Sequence, residues 1–104
     1  MPTYQSIIGK TVELTEERKK HILLRHPDMA SHISKIAKIL LAPDEIRVDS
    51  TDKFVLLFYR YFSRISHGKY LTVAIKTNRR NFVLTFYSTH RIKTGEKYEI
   101  KKSA

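Results

Sequence analysis

Hydrophobic positions in the first third of the chain recur at helical spacing, and from Glu45 onward they recur at every second residue. Before the first helix, Val12 and Leu14 alternate with polar neighbours, which predicts a short edge strand over 11–14. Thr15 then stands as an N-cap, with Glu16 and Glu17 placed for the helix dipole, and Pro27 limits the helix to residues 16–26. A second helix is predicted over 29–41, with Ile33, Ile36, Ala37, Leu40 and Leu41 on its buried face, Lys35 and Lys38 on its wet side, and Pro43 as its stop.

In the second half, Ile46 and Val48 alternate with Arg47 and Asp49, and the turn Asp49-Ser50-Thr51-Asp52 leads into a central strand from Lys53 to Phe62. A turn at His67-Gly68 precedes Lys69 to Lys76, with Leu71, Val73 and Ile75 opposing Tyr70, Thr72, Ala74 and Lys76. Asn78-Arg79-Arg80-Asn81 turns the chain into Phe82 to Ser88, where Phe82, Leu84 and Phe86 oppose Val83, Thr85, Tyr87 and Thr89. Two helices followed by four strands with short turns predict an α+β fold: two N-terminal helices packed on one face of a four-stranded antiparallel sheet.

Composition restricts the class further. With 104 residues, 41% of them hydrophobic, the chain is expected to build a single domain, 1–104, around one core. Twenty basic against 10 acidic residues give +10, spread along the chain, which points to a polyanionic partner. There is no cysteine, hence no disulfide, thiolate metal site or cysteine nucleophile. Neither a secretory leader nor a membrane span is legible, since the longest apolar run, Phe54 to Tyr59, is six residues; cytoplasm is the default expectation.

The densest chemistry lies on the first helix. Taking His21 as zero, Arg25 falls at roughly 40° and His26 at roughly 140°, whereas Leu23 and Leu24 fall at roughly 200° and 300°. Two imidazoles and a guanidinium on one arc are the groups needed to move a proton and hold a phosphate. A metal site fits them poorly, because residues five apart diverge on a helix and no carboxylate or thiolate set joins them. The last strand offers a polar row of Thr85, Tyr87 and Thr89, with Lys76 and Tyr70 on the same face of its neighbour. Beyond it, His90, Arg91 and Lys93 form a candidate substrate loop. Further cations cluster at Arg18, Lys19 and Lys20, at Arg79 and Arg80, and at Lys97, Lys101 and Lys102. Asp49 and Asp52 read as turn formers, and His32 and His67 as surface or turn residues.

Three features together, His21-Ile22-x-x-Arg25-His26-Pro27 on a short helix, Pro43-Asp44 after an apolar helix, and Thr85-x-Tyr87 on a last strand, resemble the phage-associated nucleases of the barnase, EndoU, colicin and RelE-like superfamily. The resemblance covers roughly residues 9–98. It implies a barnase-like arrangement of helices on a four-stranded sheet and, as in characterised relatives, metal-independent cleavage of RNA, often tRNA or messenger RNA, by toxins. It carries over His21, Arg25, His26, Thr85 and Tyr87 as catalytic candidates, with Lys76 added. Lys20, Arg79, Arg80, Thr89, His90, Arg91 and Lys93 are the RNA-binding candidates. RNA is the expected substrate, an antitoxin or immunity protein the expected partner; no metal, cofactor or membrane is called for. The rival readings are a non-catalytic basic RNA- or DNA-binding module and, with less support from the charge, a protein-interaction or ADP-ribosyl-handling domain.

Overall fold

The computed structural model describes residues 2–66, 68–93 and 95–98; His67, Thr94, Lys101 and Lys102 lie outside them. In chain order the elements are β1 (Thr3–Gln5), β2 (Thr11–Glu13), α1 (Glu16–Arg25), a 3₁₀ helix (Pro27–Lys35), α2 (Ile36–Leu41), β3 (Glu45–Val48), β4 (Val55–Phe62), β5 (Lys69–Lys76) and β6 (Phe82–Thr89). The class is α+β, as the change of period implies. The sheet, however, is mixed, curled and six-stranded, in the order β1-β2-β6-β5-β4-β3, and not four antiparallel strands.

The expected four strands are present as an antiparallel meander from β3 to β6. What the pattern missed is the other side of β6. There β2 runs parallel to it, with Glu13 opposite Phe82, and β1 pairs antiparallel outside β2. An unpaired β6 would expose a row of backbone donors and acceptors, and β2 occupies that edge. Segment 11–14 is thus internal, with Val12 and Leu14 buried. Gly9, at a φ of 81°, lets the chain double back between β1 and β2.

Thr15 caps α1, its Oγ1 accepting from the Arg18 backbone N–H at 3.1 Å. The helix ends before Pro27, where the His26 backbone N–H donates to Ile22 O. Ile22 is its one fully buried residue, and Leu24 is 83% exposed, so the packing stripe is narrower than two adjacent leucines suggest.

The expected helix over 29–41 is replaced by the 3₁₀ helix followed by the short α2. Three residues per turn instead of 3.6 shift the phase of the buried face. Met29, Ile36, Ile39 and Leu40 therefore point inward, while Leu41 is 52% exposed. These side chains and Ile22 pack on Phe58, Val73, Ile75, Val83 and Phe86 of the sheet. Each large apolar side chain so buried contributes about 1.5–3 kcal/mol relative to exposure.

A bulge corrects the face assignment in β6. Ala74 pairs with Thr85 but Ile75 pairs with Val83, leaving Leu84 as an extra residue. Val83 and Phe86 consequently both enter the helix-side core, although simple alternation opposes them. Leu84 joins Val55, Leu57, Tyr59 and Ala74 on the outer face. The chain leaving β6 straps across that face: Ile92 packs on the same cluster and the Lys93 N–H donates to the Tyr59 hydroxyl at 3.2 Å. It then pairs with the free edge of β3, through Val48 N–H to Glu96 O and Tyr98 N–H to Ile46 O.

Candidate functional site

A cleft of about 430 Å³ opens on the outer face, between α1 and the sheet. From α1 it receives Arg18, His21, Arg25 and His26. Leu84, Thr85 and Tyr87 enter from β6, and Val55, Leu57 and Ala74 form an apolar floor. Asp49 and Lys93 close the wall. Ile22, which falls between Arg25 and His26 on the helical wheel, anchors α1 in the core, while His21 and Arg25 are exposed at the cleft and His26 is half-buried.

The bulge determines how these groups meet. Because Leu84 stands outside the regular ladder, its carbonyl is open to a side chain, and Arg18 donates Nη2 to it at 2.6 Å. Helix α1 is thereby fastened to β6. The Arg18 Nε–H stays buried with no hydrogen-bond partner among the described residues, an orphan donor at the cleft. At the other end of the helix, the His26 ring lies 5.9 Å from the Tyr87 ring, tilted by 33°.

Tyr87 is opposite Thr72, which is opposite Tyr59, so a polar row crosses β6, β5 and β4 beneath the cleft. Burial pushes the Tyr87 hydroxyl up to about 12, with the neighbouring Tyr59 hydroxyl and the Asp49 carboxylate acting in the same direction. At neutral pH it is a phenol, a hydrogen-bond donor and not a base. Asp49 is held below the usual carboxylate range, mainly by the Thr51 hydroxyl. Its Oδ2 accepts from Thr51 N–H at 3.0 Å, Thr51 Oγ1 at 2.7 Å and Asp52 N–H at 3.1 Å. Asp49 thus forms the turn, as its sequence context implies, and also sets a fixed negative charge on the wall.

Of the residues singled out from sequence, the cleft brings together His21, Arg25, His26, Thr85, Tyr87 and Lys93. Lys76 lies apart, ion-paired to Asp52. Arg80 pairs with Glu13 at 2.6 Å, beside the exposed Arg79. Thr89 bonds to the backbone of Arg91, closing the turn after β6. Lys20, His90 and Arg91 are exposed outside the cleft. Two further cleft residues, Arg18 and Asp49, are read from sequence only as a member of the helix cation cluster and as a turn former. Arg18 had a signal, since three residues before His21 places it at roughly 60° on the same arc. Asp49 had none, because its position depends on the fold of β3 against β4.

Among the described residues no three His, Asp or Glu side chains converge as metal ligands, and no helix is long and apolar enough to cross a membrane. Comparison with protein-family models, curated proteins and solved structures finds no match to this chain.

Proposed function

We propose that this protein is a metal-independent endoribonuclease, of the toxin or phage-linked kind, acting on RNA such as tRNA or messenger RNA. The observation that carries the reading is the meeting of His21, Arg25 and His26 from α1 with Thr85 and Tyr87 from β6 in one cleft. In-line cleavage needs a base for the 2′-OH, an acid for the leaving 5′-oxygen and donors for the charge gathering on the phosphate. The two imidazoles fill the first two roles. Arg25 offers a planar fork to two phosphate oxygens, the Arg18 Nε–H an orphan donor, and the Tyr87 phenol a neutral one. The 2′-oxygen bonds to phosphorus as the bond from phosphorus to the 5′-oxygen breaks; one histidine accepts the 2′-OH proton and the other supplies a proton to the 5′-oxygen. The apolar floor of Val55, Leu57 and Ala74 suits the face of a base. An antitoxin or immunity protein that silences such an enzyme would cover this cleft.

A second reading, a non-catalytic RNA- or DNA-binding module, is favoured by the exposed cations away from the cleft, Lys20, Arg79 and Arg91. End-group analysis of RNA incubated with the protein in EDTA separates the two. The enzyme leaves 2′,3′-cyclic phosphate and 5′-hydroxyl ends; intact RNA that is merely retained supports the binder.

A further inference from the structure

Along β4 the helix-side face carries Leu56 and Phe58 in the core and then Arg60 and Phe62, which are only partly buried. There a second concavity, of about 490 Å³, opens between the end of the strand, the turn after it and the helices. Lys35 and Lys38 reach it from the helical side, Arg60 from β4 and Arg64 from the turn, and no carboxylate lines it. Among the described residues none of these four cations is in an ion pair. Arg60 is held in place: Nη1 donates to Ala42 O and the guanidinium lies 6.0 Å from the Phe62 ring centroid. Such a density of unneutralised positive charge in a concave surface attracts an anionic partner.

The floor decides which anion fits. Phe62 and Ile65 line the same concavity, and both belong to the partly buried margin of the helix-side core. Single-stranded nucleic acid needs an open aromatic face beside its phosphate contacts. Here Arg60 lies over the Phe62 ring, and alternation along β4 puts the Tyr61 ring on the opposite face of the sheet, edge-on to Tyr70. A duplex presents chiefly sugar and phosphate to such a surface and leaves the apolar floor unused. An acidic polypeptide that also carries aliphatic side chains satisfies both parts, with carboxylates on the cationic rim and alkyl groups on the floor.

We infer that this groove is a docking site for an acidic segment of a partner protein, one in which carboxylate and aliphatic side chains are interspersed. Its carboxylates pair with Lys35, Lys38, Arg60 and Arg64, and its aliphatic groups lie on Phe62 and Ile65. The groove is separate from the cleft. Between His26 at the cleft and Lys35 at the groove runs the nine-residue 3₁₀ helix, which at about 2 Å per residue spans roughly 18 Å. Docking here requires nothing of the cleft's chemistry, so a protein that cleaves no RNA can still support it.

The test is fluorescence anisotropy of the full chain with a short labelled peptide repeating Glu-Glu-Leu, beside a Glu-Glu-Ser peptide of equal length and charge. The leucine peptide is expected to bind about 10-fold more tightly or better, because only it has apolar area to bury. Lys38→Ala with Arg64→Ala should weaken its binding about 5-fold, as two exposed ion pairs are lost, whereas Lys10→Ala with Lys53→Ala, an equal change in net charge, should leave it nearly unchanged. Ile65→Ser should erase the difference between the two peptides. Oligouridylate and duplex RNA, at equal charge concentration, should displace the labelled peptide less effectively than the unlabelled peptide does. Equal affinity for the two peptides would overturn the site, as would unchanged affinity in a Lys38→Ala, Arg64→Ala variant that retains the parental melting temperature. Stronger displacement by RNA would also overturn it and assign the groove to phosphates.

Discussion

In the proposed reading His21 and His26 carry the proton transfers, and among the described residues neither side chain makes a hydrogen bond that the fold would lose. Changing either to Ala should lower the cleavage rate on the order of 100-fold or more, with RNA affinity and melting temperature nearly unchanged. Arg25→Lys keeps the charge but loses the fork, and should also be slow. Tyr87 supplies a contrast. With its hydroxyl pushed up to about 12, Tyr87→Phe should slow cleavage without removing either limb of a pH profile recorded between about pH 5 and 8; loss of the acid limb would make the tyrosine a base. Asp49 works through stability. Its folded-state value lies below the ordinary one, so its contribution is complete above about pH 4 and is lost as pH falls through the depressed value. Asp49→Ala should therefore lower stability at neutral pH, by about 1 kcal/mol given its partial exposure, and flatten the acid limb of a denaturation series.

Among the elements, α1 was the most legible because its signals are local: the Thr15 cap, two glutamates in the first turn and Pro27 at the end. Thr15→Ala should cost about 1 kcal/mol in denaturant titration, and Thr15→Ser much less. Ile22→Ala should cost about 2–5 kcal/mol, whereas Leu24→Ala, at an 83% exposed position, should stay within about 0.5 kcal/mol. The segment after α1 was less legible. An apolar pattern with period near 3.6 cannot announce that Pro27–Lys35 winds as 3₁₀, and so it assigned Leu41 rather than Ile39 to the core. The bulge at Leu84 was hidden for a similar reason, because alternation carries no sign of an inserted residue. The cleft depends on that insertion, since it turns Leu84 to the outer face and presents its carbonyl to Arg18. Strand β1 is three residues long and gains its place only by pairing with β2, a non-local event.

At the scale of the molecule, charge and topology divide the surface. The six cleft residues legible in the sequence came from two local motifs and one loop, and the fold brought them together. Lys76 and Arg80 were drawn off into ion pairs with Asp52 and Glu13, partners that composition cannot identify. Affinity for single-stranded RNA should fall with salt at a slope near about −3.5 if about five phosphates are neutralised; a slope near zero would remove the polyanion argument. The central claim is that the helix histidines on the cleft perform the chemistry without a metal. Its most direct test is the RNA cleavage rate in EDTA for the parental chain beside the His21→Ala, His26→Ala double variant. The account predicts cleavage by the parent and loss of at least two orders of magnitude in a double variant that remains folded and binds RNA; parental-rate cleavage by that variant, or a parent active only with added divalent ion, would contradict it.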